Sequence, residues 1–205
     1  MDQNWIRGLR KAPATLILVA VNTLVFVACL FSGDALQAAG DLDVSSVCKA
    51  GEYGRLISAM FLHADLSHLF GNMILLLYAG AMVEQALGHL PFLILYLLCG
   101  ISGNGITIQY EIWTGNNWSS IGASGAVFGV LGAMLILLID RRKQLAGAIL
   151  LRRLGLMILF SLMIGASSKE VNNVAHIGGL LSGMLMAWIY LLISANRVRG
   201  RTGST

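Results

Sequence analysis

The sequence predicts an all-α polytopic membrane protein, a single six-helix bundle with both termini in the cytoplasm. Three observations predict it. The chain of 205 residues is 57% hydrophobic and 12% charged, where a soluble domain carries about 25% charged residues. Its apolar residues gather in six runs, each near the ~20 residues that span a bilayer core of about 30 Å. Its basic residues fall in short clusters between those runs, the pattern of topology signals. The net charge of +4 does not point to nucleic acid, because no basic stretch carries interleaved aromatics. One compact membrane domain, 1–205, accounts for the whole length: 1–12 as a cytoplasmic N-terminus, 13–194 as the six-helix core and 195–205 as a basic cytoplasmic tail.

The runs are justified in order. The first, 13–31, opens on Pro13, a residue that a first helical turn tolerates, and follows Arg7, Arg10 and Lys11. Its apolar stretch exceeds a usual signal-peptide core, so it is read as a retained span. The second covers 67–87; the third, 91–109, opens on Pro91. The fourth, 122–139, begins with the small residues of "GASG". The fifth, 150–167, is interrupted by Arg152 and Arg153, which must snorkel to the interface. The sixth covers 174–194. Eleven of the fourteen Lys and Arg then share one side: those before the first run, Arg141 to Arg153 between the fourth and fifth, and those after the sixth. Lys49, Arg55 and Lys169 remain for the other side. The positive-inside rule puts the larger set in the cytoplasm. The three cysteines show neither zinc nor disulfide spacing and read as packing or loop residues.

This topology has a geometric consequence. The second, fourth and sixth spans all run from outside to inside, so their first turns lie at similar depth. Those turns carry His68 and Asn72, Ser124, and His176 respectively. At 1.5 Å per residue each lies within ~10 Å of its helix start. Polar residues within a membrane face the bundle interior or a water-filled cavity. A lone serine can bond the preceding turn, and a lone histidine can serve as a structural donor. Together they can do more. His176 can act as general base for Ser124, a dyad without an acid, since the polar residues just before it are Asn172 and Asn173.

His68 and Asn72 stand four apart on one helix face. Their side-chain N–H groups, with the Ser124 backbone N–H at a helix start, can meet the oxyanion of an attacked carbonyl. The same spacing suits interhelical hydrogen bonding equally well. Gly125, Gly129 and Gly132 form a small-residue stripe beside Ser124, and His176, Gly179, Gly183 and Ala187 form another. Two such stripes let helix backbones approach closely, which a serine–histidine hydrogen bond across helices requires.

The ordered set "HLFGN", "GASG" and "AHIGGLLSG" resembles the three signature motifs of rhomboid intramembrane serine proteases, over about Glu52 to Trp188. The resemblance implies a rhomboid-like six-helix bundle with Ser124 as nucleophile and His176 as base. It implies His68 and Asn72 as oxyanion donors beside the Ser124 backbone, with Gly122 shaping the turn. The family cuts single-span membrane proteins near the outer membrane face and uses no metal, nucleotide or other cofactor. Its partners are therefore transmembrane protein substrates and the lipid bilayer, with no nucleic acid. A plasma-membrane location, bacterial inner membrane, with the site opening to the non-cytoplasmic side is the matching expectation. Two departures stand out: Tyr53-Gly54-Arg55 where the family often has Trp-Arg, and Phe128 where it often has tyrosine.

An inactive relative would lack the serine or the histidine. A transporter would show charges near the midplane or a half-to-half repeat, with Asn104 the strongest midspan candidate. No H-E-x-x-H and no aspartate well inside a span appear, against metal and aspartyl chemistry. Glu84 reads as an interfacial or interhelical anchor, His63 and His89 as loop or interface residues, and the segment "GASSKEVNN" around Lys169 as a lid. The charge split predicts that reporter fusions near residues 45, 116 and 170 report outside and both termini inside. An outside C-terminus defeats the six-span count.

Overall fold

The computed structural model describes residues 8–140, 145–168 and 171–202. Arg7, Arg141, Arg142, Lys143 and Lys169, used above for topology and for the lid, lie outside the described residues. The long helices are α1 (Pro13–Ser32), α2 (Leu66–Leu87), α3 (His89–Thr114), α4 (Ser124–Asp140), α5 (Leu145–Ala166) and α6 (Asn173–Thr202). Five of them are long and apolar enough to cross a membrane, all but α4, which is apolar but 17 residues long. The chain is thus an all-helical polytopic membrane bundle.

Element ends differ from expectation where glycine backbone decides. Gly88 at φ 92° separates α2 from α3, and Gly115 at φ 73° ends α3 at Thr114 rather than near 109. Gly122 at φ 133° keeps the fourth helix from starting before Ser124. Arg152 and Arg153 are exposed, and α5 runs through them from Leu145. Only 11% of the apolar window of α5 is buried against 50% for α3, so α5 lies at the rim.

The core forms around α4. Every residue from Gly125 to Met134 is buried, and α4 packs most extensively on α6 and then on α3. The contact with α6 is backbone on backbone. A side chain at Gly179 would overlap the Gly125 carbonyl, and one at Gly183 the Gly129 carbonyl. Dispersion and close approach, not water exclusion, hold helices together in lipid, and these glycines supply that approach.

Glu84 anchors the bundle at the far end of α2, some ~24 Å along the helix from His68 at 1.5 Å per residue. It is fully buried and caps α1, a helix with no side-chain cap of its own. The Ala14 amide donates to Oε1 at 2.9 Å, while the Thr15 amide and hydroxyl donate to Oε2 at 2.7 Å each. His89 Nδ1, at the exposed start of α3, lies 2.6 Å from Oε1. A carboxylate satisfies a helix N-terminus both by hydrogen bonding and by charge.

Between α1 and α2 the chain folds as short helices that sequence periodicity does not reveal: Asp34–Gly40, Ser45–Lys49, Arg55–Ser58 and Ala59–Phe61. Arg55 gathers them, pairing with Asp41 and Glu52 at 2.5 Å and donating to the carbonyls of Ala38 and Asp41 at 3.0 and 2.8 Å. Asn104 Nδ2 donates to Leu56 O at 2.9 Å and fastens this loop to α3.

Glu84→Ala leaves three donors of α1 unmatched, at about 1–3 kcal/mol per buried group. The variant is expected to melt well below wild type while the machinery around Ser124 stays intact. A thermal melt in detergent checks it, and an unchanged midpoint refutes the capping role.

Candidate active site

Asp65 is the N-cap of α2. Its carboxylate accepts from the Ser67 hydroxyl at 2.6 Å and the His68 amide at 2.9 Å. The Ser67 hydroxyl foremost, with the His68 amide, holds the Asp65 carboxyl below its ordinary value. The cap stays ionised at the end of the helix where negative charge is favoured. It thereby fixes where the first turn of α2, with His68 on it, begins.

The segment before α4 is held by the first loop. Leu42 and Ser120 exchange two backbone hydrogen bonds of 2.9 Å, an antiparallel bridge. The Gly122 amide donates to Ala59 O at 2.9 Å, and the Ser119 hydroxyl donates to Asp41 at 2.5 Å. The Trp118 amide donates to Glu111 at 3.2 Å. Gly122 is required twice over. Its φ of 133° suits glycine alone, and a Cβ there would meet the His68 ring at 2.7 Å.

These elements surround a cavity of about 800 Å³ lined by Ser124, His176, His68, Asn72, Phe128 and Asn172 among others. All four polar residues singled out from the sequence therefore face one space. Ser124 and His68 are partly exposed to it, while Asn72 and His176 are 6% and 7% exposed. Phe128 stacks flat on the His176 ring, with centroids 4.1 Å apart and planes 3° from parallel. Asn172 caps α6, accepting the Ala175 amide at 2.9 Å and donating to the Ser120 hydroxyl at 2.9 Å. Among the described residues no hydrogen bond joins Ser124 to His176. In unliganded sites such bonds are often long and tighten only with substrate bound.

The Asn72 side chain bears on the two roles that its spacing allows. Its Nδ2 is buried with no hydrogen-bond partner among the described residues. This donor makes no interhelical hydrogen bond among the described residues, and Asn72 borders the cavity. His63 lies in the loop before α2, as expected, but is packed inward. It is 2% exposed, meets His68 edge-on at 5.1 Å, and neither ring nitrogen has a partner among the described residues. Asn173 was read only as a neighbour of His176, yet its Oδ1 lies 3.2 Å from His176 Nδ1. A spacing of three on a helix start is the sequence signal that could have found it.

The Rhomboid domain family matches residues 50–193. The chain belongs to the rhomboid family. Rhomboids are intramembrane proteases, and this rhomboid is a multi-pass membrane protein. It is 32% identical to "Rhomboid protease GluP" of Bacillus subtilis over 186 residues, covering 86% of this chain and 34% of that protein. It is 35% identical to "RHOMBOID-like protein 1" of Arabidopsis thaliana over 158 residues, covering 77% of this chain and 39% of that protein. To "Putative rhomboid protease YdcA" of Bacillus subtilis it is 34% identical over 140 residues, 68% of each chain. The rhomboid chain thus spans well under half the length of the first two relatives.

Proposed function

We propose that this rhomboid is a serine endopeptidase that cuts single-span membrane proteins near the outer membrane face through a Ser124–His176 dyad. The reading counts α4 as a sixth span and 1–205 as one membrane unit, with both termini cytoplasmic and the cavity open to the other side. The observation that carries it is the free Asn72 amide. A buried donor without a partner costs about 1–3 kcal/mol, and such groups persist where function uses them. Here it borders the cavity that Ser124 and His176 line.

In the proposed reaction Ser124 Oγ attacks the peptide carbonyl while His176 takes its proton. Charge develops on the carbonyl oxygen, which the Asn72 amide, the His68 ring and the Ser124 backbone N–H receive. Gly122 keeps the His68 ring close to that oxygen's position. Collapse of the tetrahedral intermediate expels the amine, protonated by His176, and leaves an acyl-enzyme. Water attacks next, with His176 again as base, and frees the new carboxylate and Ser124. Phe128 holds the imidazole plane throughout.

Labelling of the purified protein with a fluorophosphonate probe tests the nucleophile. Wild type is expected to label, and Ser124→Ala and His176→Ala to lose both labelling and proteolysis while remaining folded. Labelling that persists in Ser124→Ala moves the nucleophile elsewhere.

Asn72→Ala is expected to lower kcat by roughly 10²–10³-fold, about 2.7–4 kcal/mol, the cost of one oxyanion donor. KM and the melting temperature should hardly move, because no ground-state partner is lost. A lower melting temperature with near-normal kcat makes Asn72 scaffold instead.

A further inference from the structure

We infer that Asn173 positions the catalytic base, holding His176 in the one tautomer that can accept the Ser124 proton. The inference rests on the serine-protease reading above and adds a residue and a helix to it. Asn173 opens α6, and its Nδ2 donates to the Leu162 carbonyl of α5 at 2.9 Å. That bond fixes which way the amide faces, since the reversed amide would set oxygen against oxygen. Its Oδ1 is thereby turned toward His176 Nδ1, 3.2 Å away. An amide oxygen only accepts, so Nδ1 carries the hydrogen and Nε2 keeps its lone pair.

The ring is then held at two places. Phe128 fixes its plane by stacking at 4.1 Å, and Asn173 fixes its rotation and its hydrogen. The seat for Asn173 exists because position 165 has no side chain: a Cβ on Gly165 would overlap Asn173 Oδ1. The neighbouring Asn172 does different work, bonding the Ala175 amide and the Ser120 hydroxyl, and among the described residues its side chain makes no hydrogen bond to the imidazole. A neutral amide fits this place in a membrane, where a buried carboxylate is costly. It orients the base as the third member of a triad does, and stabilises the imidazolium by a dipole.

Two substitutions separate this role from a plain tie between α5 and α6. Asn173→Leu removes both acceptor and donor. Asn173→Asp keeps an oxygen facing Nδ1 but cannot donate to Leu162. The readouts are the second-order rate of fluorophosphonate labelling at Ser124 and the melting temperature, on full-length protein in detergent. Asn173→Leu is expected to label at least about 10-fold more slowly, a fraction of a general base's 10²–10⁴-fold. Asn173→Asp is expected to label within about 3-fold of wild type while melting lower. Wild-type labelling in Asn173→Leu overturns the inference, as does an Asn173→Asp that folds and labels as slowly as a chain without the acceptor. If Asn173→Leu does not fold, the Asn173→Asp rate alone decides. A wild type that fails to label defeats the protease reading itself, a result distinct from either of these.

Discussion

The contact on which the rest depends is the meeting of α4 and α6 along their glycines. Carbonyls of Gly125 and Gly129 occupy the space that side chains at Gly179 and Gly183 would need. In lipid no apolar driving force pulls two apolar helices together, so only close, extensive contact keeps them paired. Ser124 begins one of these helices, and His176 lies one turn before Gly179 on the other. Their common cavity follows from the same contact that stabilises the bundle. Stability and site geometry cannot be separated here, since a methyl group that pushes the helices apart also parts the serine from the histidine.

The second constraint is polar satisfaction in apolar surroundings. Most buried polar groups have partners that hold a loop or a helix end. Glu84 caps α1, Asn104 holds the first loop, and Asn172 caps α6 and ties it to Ser120. Against that background few buried groups among the described residues lack a partner: the Asn72 amide, both nitrogens of His63, the Asn22 oxygen and the Tyr96 hydroxyl. Of these, Asn72 borders the cavity and His63 packs on His68, while Asn22 and Tyr96 lie outside the cavity lining. The first loop, gathered on Arg55, works as a bracket, fastening the 119–122 segment by Asp41, Leu42 and Ala59. The cavity lining is thus assembled from helices and a loop that sequence distance keeps far apart.

Much of this was legible in the sequence, for a physical reason. Polar residues are costly inside a membrane, so His68, Asn72, Ser124 and His176 stand out against the apolar runs that carry them. Topology then brings them to one depth. The glycine stripes were legible because a helix face repeats with a fixed period. What stayed hidden depends on rotamers and on irregular backbone. No period marks the short helices of the first loop. The turn of Asn173 toward His176 depends on a bond to Leu162, and the burial of His63 depends on the fold of a loop. Glu84 was legible as an anchor, but not its partner, which lies on another helix.

The Glu84 cap also bears on the order in which the protein is completed. The amides it satisfies, Ala14 and Thr15, precede it by 70 and 69 residues. Nothing within α1 supplies a side-chain cap. During synthesis α1 emerges and enters the bilayer with those amides open, and they find their acceptor only when the far end of α2 arrives. The first helix made is therefore not the first one finished. Its upstream end closes only when the chain has run out through the first loop and back along α2, past the turn that carries His68 and Asn72. The cap is a latch on that hairpin. Once it is closed, the helix that carries His68 and Asn72 is fastened to α1 at its far end.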